Sequence, residues 1–189
     1  MIILASASPR RAQLLSMAEI PFEVIAPNID ETFPAHLSIP EIPVYIATQK
    51  GQTIASQFPD RQILAADTIV VLNERIIGKP TSREDAIQML NDLQGQKHEV
   101  ITGVYLKLES GEHTFFDRTQ VQFHPLSETE IIHYVDHYKP YDKAGAYAIQ
   151  EWIGSVAIQS IQGCFYNVMG LPVSLVYRLL KTKQTKQEV

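Results

Sequence analysis

Only one cysteine occurs, Cys164, so no disulfide can close within the chain and a reducing compartment, the cytoplasm, is the expected setting. No histidine stands in a recognisable relation to it, which argues against a thiol nucleophile. No stretch approaches the roughly 20 apolar residues of a membrane span. Met1-Ile2-Ile3-Leu4 is followed at once by polar residues, which is no secretory leader. A Gly-rich Walker loop, a nucleophile elbow and a dinucleotide-binding glycine fingerprint are all missing. Any phosphate must therefore be held by side chains and a helix start. There is also no long basic run, and the net charge is −5 with a pI near 5.7. A nucleic acid polymer, whose binding leans on many phosphate contacts, is thus a poor partner, whereas a small anion gripped by a few cations is compatible.

What is present suffices for a globular core. The chain has 189 residues, 45% of them hydrophobic, which fits one domain or a single two-lobed unit. Strand and helix patterns alternate, favouring an α/β architecture. Ile2-Ile3-Leu4 reads as a short buried strand and Ala12 to Met17 as a helix. Ser8 is placed as its N-cap and Pro9 as its first residue. Phe22 to Ile25 reads as a second strand, and a helix is expected from about Val44 to Phe58 after Pro34, Pro40 and Pro43. Ile63 to Leu72 is the strongest strand signal, apolar on both sides of Asp67-Thr68 and so expected mid-sheet. Ser82 to Asp85 reads as a capping box, as does Ser127 to Glu130. Val100–Leu108 and Thr114–Phe123 form a hairpin pattern around Ser110-Gly111-Glu112. Two short strands are expected near Ala146–Ile149 and Val156–Ile161, then a helix from Pro172 to Lys181. The domain is thus expected over 1–181, with 182–189 a polar tail.

The chemistry-bearing residues begin with Arg10 and Arg11. They directly follow the Ser8-Pro9 helix start, where unpaired N–H groups and two forked guanidinium donors suit a polyphosphate. Asp67 lies among apolar neighbours, so its desolvation needs an offset. A metal ion, a lysine or arginine, a catalytic role, or backbone N–H groups around a purely structural carboxylate would each provide one. Asp30 and Glu31 supply further hard oxygens of the kind that suits Mg2+ or Mn2+ on phosphates, or else are plain surface charge. Lys50 and Lys79 are each explicable as surface lysines. With Arg10 and Arg11 they make four cations against a triphosphate of about −4. His133 and His137 mimic a zinc pair, but the apolar residues Ile131, Val135 and Tyr138 take the opposite face, so both histidines are expected to face water. His98 is either a polar contact near the site or a loop residue.

Several segments in order resemble the Maf family of nucleotide pyrophosphatases. They are Ala5-Ser6-Ala7-Ser8-Pro9-Arg10-Arg11, Ala66-Asp67-Thr68, Lys79-Pro80, Gly95 to His98 with Thr102-Gly103, Asp142 to Gln150, and Asn167 to Pro172. The resemblance covers roughly residues 2 to 181. It implies a fold like that of inosine-triphosphate pyrophosphatases: a curved mixed β-sheet with flanking helices and two lobes around a deep cleft. It also implies hydrolysis of nucleoside triphosphates between the α and β phosphorus atoms, with a divalent cation, Mg2+ or Mn2+. Asp67 is then the general base or metal-anchored carboxylate and Glu31 an acidic group near the metal. Ser8, Arg11, Lys50 and Lys79 match substrate-binding positions. Arg10, Thr68 and Gln150 fall on positions that sort substrates, in a combination resembling the dTTP/UTP subgroup. A Gln amide can answer one donor and one acceptor of a thymine or uracil edge, and such a site rejects cytosine by leaving buried polar groups unpaired. A homodimer is the assembly the resemblance implies. A non-catalytic nucleotide-binding regulator of division or septum formation is the alternative.

Two positions depart from the family pattern. Gln150 is followed by Glu151-Trp152 where glycine is common, and Lys50 by Gly51 where alanine is usual, a change expected to loosen the helix by about 1 kcal/mol. The central spatial expectation is that Asp67 and the cations meet at one pocket.

Overall fold

The apolar triplet Ile2–Leu4 forms the first strand (β1), and Pro9–Met17 the first helix (α1), with proline at its start. The computed structural model describes residues 1–181, so the expected tail, 182–189, lies outside the described residues. The chain then runs through β2 (Phe22–Val24), α2 (Glu41–Gln57), β3 (Ile63–Leu72), β4 (Arg75–Ile77) and α3 (Arg83–Leu93). Next come β5 (Lys97–Leu108), β6 (Gly111–Phe123), α4 (Glu128–Tyr138), α5 (Trp152–Val156), β7 (Ile158–Gln162), α6 (Phe165–Val168) and α7 (Val173–Lys181). The seven strands form one open mixed sheet ordered β2-β1-β3-β5-β6-β7, with β4 paired to β3. β1 is parallel to both β2 and β3, whereas β3–β4 and β6–β7 are antiparallel. Among the described residues no helix is long and apolar enough to cross a membrane.

The chain divides into two compact units. The first comprises Met1–Asp67, Thr102–Asp117 and the chain from Gly170 onward, and the second Thr68–Ile101 and Arg118–Met169. In the first unit, Ile63 and Ala65 of β3 share one face, since alternate strand residues point the same way. They pack with Ile3, Ala5, Ala47, Ile54 and Tyr105. Asp67 is the next residue in that row. On α2 the buried residues Ile46, Ala47, Lys50, Gly51 and Ile54 recur at helical spacing, so Lys50 lies on the core stripe and not on a solvated face. In the second unit, α3 packs on α4 and on a short 3-10 turn, Ala144–Ala146. The imidazole of His98 is buried there, bonded through Nε2 to the Tyr147 hydroxyl at 2.7 Å and set edge-on to Phe123.

Several local expectations change. Ser8 is the N-cap residue of α1, but within the described residues its side chain makes no cap bond; its N–H donates to Ser6 Oγ at 3.2 Å. Helix α2 begins at Glu41, before Pro43. A proline in the first turn removes an N–H that has no helical partner there anyway. Residues 146–149 are not a strand, because Gly145 (φ 71°) and Ala146 (φ 56°) are left-handed and break an extended run. Helices α5 and α6 lie where no helix was expected. Both capping serines do accept the expected backbone N–H, at Asp85 and Glu130, although the Asp85 carboxylate turns to Thr81 instead of the Ser82 N–H.

Gly51 has a packing reason: a Cβ there would stand 2.0 Å from Cδ1 of the buried Tyr105. Gly51→Ala should therefore destabilise, because overpacking of about 1–3 kcal/mol outweighs a helix-propensity gain of about 1 kcal/mol. A raised urea midpoint for the variant would contradict this. Burial also pulls His98 down to about 4 from an ordinary 6.5. The neutral ring's contribution is complete above pH of about 6.5 and is lost as pH falls towards 4, worth about 3 kcal/mol in all. His98→Asn should show a shallower fall in urea stability between pH 7 and 4.5 than the parent, and parallel slopes would refute it.

Candidate active site

Within the first unit the structure gathers Arg11, Glu31, Lys50 and Asp67. The Lys50 ammonium lies 2.7 Å from Asp67 Oδ1 and 2.7 Å from Glu31 Oε1. Lys50 and Asp67 are buried, while Glu31, in the segment after β2, is exposed. Of the four ways left open for Asp67, the structure shows the cationic partner. An unpaired carboxylate at this depth would cost several kcal/mol, which the ion pair offsets.

Arg11 approaches from α1 and is itself buried. Its Nε donates to the Gly170 carbonyl at 2.8 Å and its Nη1 to Ser6 Oγ at 3.0 Å, so the guanidinium is fixed in place. Burial holds it below its ordinary value, opposed by the negative charge of Asp67, lowered further by Arg10 and opposed again by Glu31. Arg10 and Ser8 are half-buried at the start of α1. The expected meeting of Asp67 with a positive group is thus present for Lys50, and the charge of Asp67 also acts on Arg11.

The remaining expected residues belong to the second unit. Thr68 is half-buried on β3, Lys79 is exposed after β4, and Gln150 is exposed in a turn before α5. The Gly145 N–H donates to the Gly78 carbonyl at 2.9 Å, which anchors the Gly78-Lys79-Pro80 bend to the 3-10 turn. His133 and His137 are exposed, with rings 4.2 Å apart.

Sequence reasoning missed Ser6 and Gly170 as supports of Arg11. Ser6 lies in the same Ser-Ala-Ser run as Ser8, while Gly170 is 159 positions away, so only the fold reveals it. It also missed the buried Lys143, which meets Asp142 Oδ1 at 2.7 Å and Glu151 Oε1 at 3.4 Å. The signal for Lys50 was available: a lysine four residues after Ile46 and four before Ile54 sits on the apolar stripe.

For a divalent cation, the donor set consists of two carboxylates that both reach one ammonium, and hard oxygens suit Mg2+ or Mn2+. Among the described residues, no cluster of three or more His, Cys, Asp or Glu is placed to hold a metal by itself. Two carboxylates would leave most of the coordination of such a cation to phosphate and water oxygens.

Comparison with known proteins gives a consistent result. The family model described as Maf-like protein matches residues 1–183. A "dTTP/UTP pyrophosphatase" of Cytophaga hutchinsonii is 53% identical over 173 residues, covering 92% of this chain and 79% of that protein. Proteins of the same name from Bacteroides thetaiotaomicron and Halalkalibacterium halodurans are each 47% identical, covering 95% of this chain and 94% of theirs. A solved structure, a HAM1 protein from Coxiella burnetii, is similar over 65% of this chain and 72% of that chain, with a TM-score of 0.44 and 17% identity. With a family model spanning 1–183 and relatives near half identical along almost the whole length, the chain belongs to the Maf-like protein family.

Proposed function

We propose that this chain hydrolyses nucleoside triphosphates to the monophosphate and pyrophosphate, with dTTP and UTP preferred and modified pyrimidine nucleotides among its substrates. The observation that carries the reading is the buried Asp67 carboxylate held by Lys50 beside Arg11 and Glu31. The names of the relatives support both the reaction and the bases. Residues 1–181 act as one catalytic domain. The partner is the free nucleotide, not a nucleic acid polymer or a membrane; the setting is the cytoplasm and the assembly a homodimer.

The charges of the cluster bear on how the substrate is held. Lys50 and Arg11 are balanced by Asp67 and Glu31, so these two cations do not simply add to Arg10 and Lys79 against a triphosphate of about −4. A divalent cation would close the gap, and Asp67 and Glu31 are the residues that would hold it. When bound it neutralises phosphate oxygens and makes the α-phosphorus more electrophilic.

The protein's own groups do the rest. Arg11, pinned through Nε and Nη1, presents a fixed positive charge to phosphate oxygens, joined by Arg10, Ser8, Lys50 and Lys79. Lys50 holds Asp67 Oδ1, which leaves Oδ2 as the oxygen that orients the attacking water and takes its proton. Water oxygen bonds to the α-phosphorus, the bond from that phosphorus to the bridging oxygen breaks, and pyrophosphate leaves. Arg10, Thr68 and Gln150 sort the base, with the Gln150 amide pairing to the uracil or thymine edge.

With UTP and MgCl2 in H2 18O, the expected products are 18O-labelled UMP and unlabelled pyrophosphate. Orthophosphate would mark a terminal phosphatase, and binding without any product would mark a nucleotide-sensing protein. Asp67→Asn should lower kcat by about 10²–10⁴ while KM changes far less. Turnover near that of the parent would remove Asp67 from the mechanism.

A further inference from the structure

The turn that carries Gln150 is tied down more heavily than an exposed turn requires. The Ala148 carbonyl accepts the Glu151 N–H at 3.1 Å, closing a β-turn in which Gln150 is the third residue. One phenol then clamps both ends. The Tyr134 hydroxyl accepts the Ala148 N–H at 3.2 Å and donates to Glu151 Oε2. The other oxygen of that carboxylate, Oε1, faces the buried Lys143 ammonium at 3.4 Å. Behind the turn, the Gly154 N–H donates to the Glu151 carbonyl at 2.9 Å, and a Cβ at Gly154 would stand 1.7 Å from the Ile149 carbonyl oxygen. The Tyr134 ring is itself fixed, stacked on Tyr138 at 5.0 Å and on Trp152 at 6.5 Å. Burial, and then the bond to Glu151, push its hydroxyl above its ordinary value, so it stays a donor.

A buried lysine–carboxylate pair contributes little net stability, because desolvation cancels much of its attraction. What such a pair does reliably is hold a geometry. The residue presented by this geometry is Gln150, whose amide carries a donor and an acceptor side by side. A glutamine whose backbone can shift presents that pair out of register with the base edge, and uracil then loses its advantage over cytosine. Selection by an amide therefore needs a backbone that keeps still, since specificity arises from leaving the wrong base unpaired.

We propose that Tyr134 and Glu151 are positioning residues for base selectivity, holding the Gln150 turn in one pose with Lys143 as counter-charge. The proposal rests on Gln150 reading the base, as set out above. Both residues act on the turn that carries Gln150, so their loss should appear in selectivity and KM and largely spare kcat.

The test is kcat/KM for UTP and for CTP, measured with Mg2+ on the full-length chain and its variants. Tyr134→Phe keeps the stacked ring and removes both clamp bonds, while Glu151→Gln keeps an acceptor and removes the charge. Each should lower the UTP-to-CTP ratio, Tyr134→Phe by about tenfold, the scale of one lost buried hydrogen bond. The double variant Tyr134→Phe/Gln150→Ala should discriminate no worse than Gln150→Ala alone, because Tyr134 acts through Gln150. An unchanged ratio in Tyr134→Phe and Glu151→Gln, with the ratio lost in Gln150→Ala, overturns the clamp and leaves the reading of Gln150 standing. A fall in kcat at constant ratio marks a merely structural role and also overturns it. A full ratio in Gln150→Ala instead overturns the base-reading role on which the clamp rests.

Discussion

A lysine ammonium buried between two carboxylates is the constraint around which the first unit is built. Lys50 lies on the core stripe of α2, and Asp67 continues the row of Ile63 and Ala65 on β3. Neither charge could be buried alone without a large desolvation cost, so helix and strand must stay in register for each to meet the other. Small residues make the approach close enough: Ala47 and Ala65 lie in the packed cluster, and Gly51 leaves room for the Tyr105 ring. Arg11 is brought in from α1 and held by its hydrogen bonds to Ser6 and Gly170.

The strand bearing Asp67, the helix start at Pro9 and the serine caps of α3 and α4 were legible because each is written locally, in apolar runs or in a cap residue and its neighbours. The segment 146–149 misled because its composition suits a strand, while the left-handed pair Gly145 and Ala146 that forbids one is a backbone property which alanine does not advertise. Pro43 misled in the opposite sense, reading as a breaker where it is harmless in a first turn. Asp67, Lys50 and Arg11 could each be singled out from the sequence, but which atoms would meet could not. Lys50 is 17 residues away and Gly170, on Arg11, is 159 away, separations that only folding closes.

Gly51 and Glu151, the two departures from the family pattern, have different meanings in the structure. Gly51 is accommodated by a ring that fills the space of the missing methyl group, so the helix loses intrinsic propensity and regains contact. Glu151 is not a filler. Its carboxylate is shared between a phenol and a buried ammonium, and its backbone closes the turn of Gln150.

Functional side chains are thus fixed in two physically distinct ways. Asp67 is fixed by charge, since moving it away from Lys50 would leave a buried carboxylate without its cation. Gln150 is neutral and exposed, and no such penalty can hold it, so the chain fixes the backbone beneath it instead. The division follows from what each group has to do. In the proposed reaction, a base near phosphorus would have to keep its charge and position while phosphates come and go, which a neighbouring cation enforces directly. An amide proposed to distinguish uracil from cytosine would have to keep its register with the base edge, and the position of its backbone is governed by hydrogen bonds more than by net charge. On the proposed function, chemistry and selectivity would rest on separate sets of contacts, Lys50 and Glu31 about Asp67 and Tyr134 and Glu151 about the Gln150 turn.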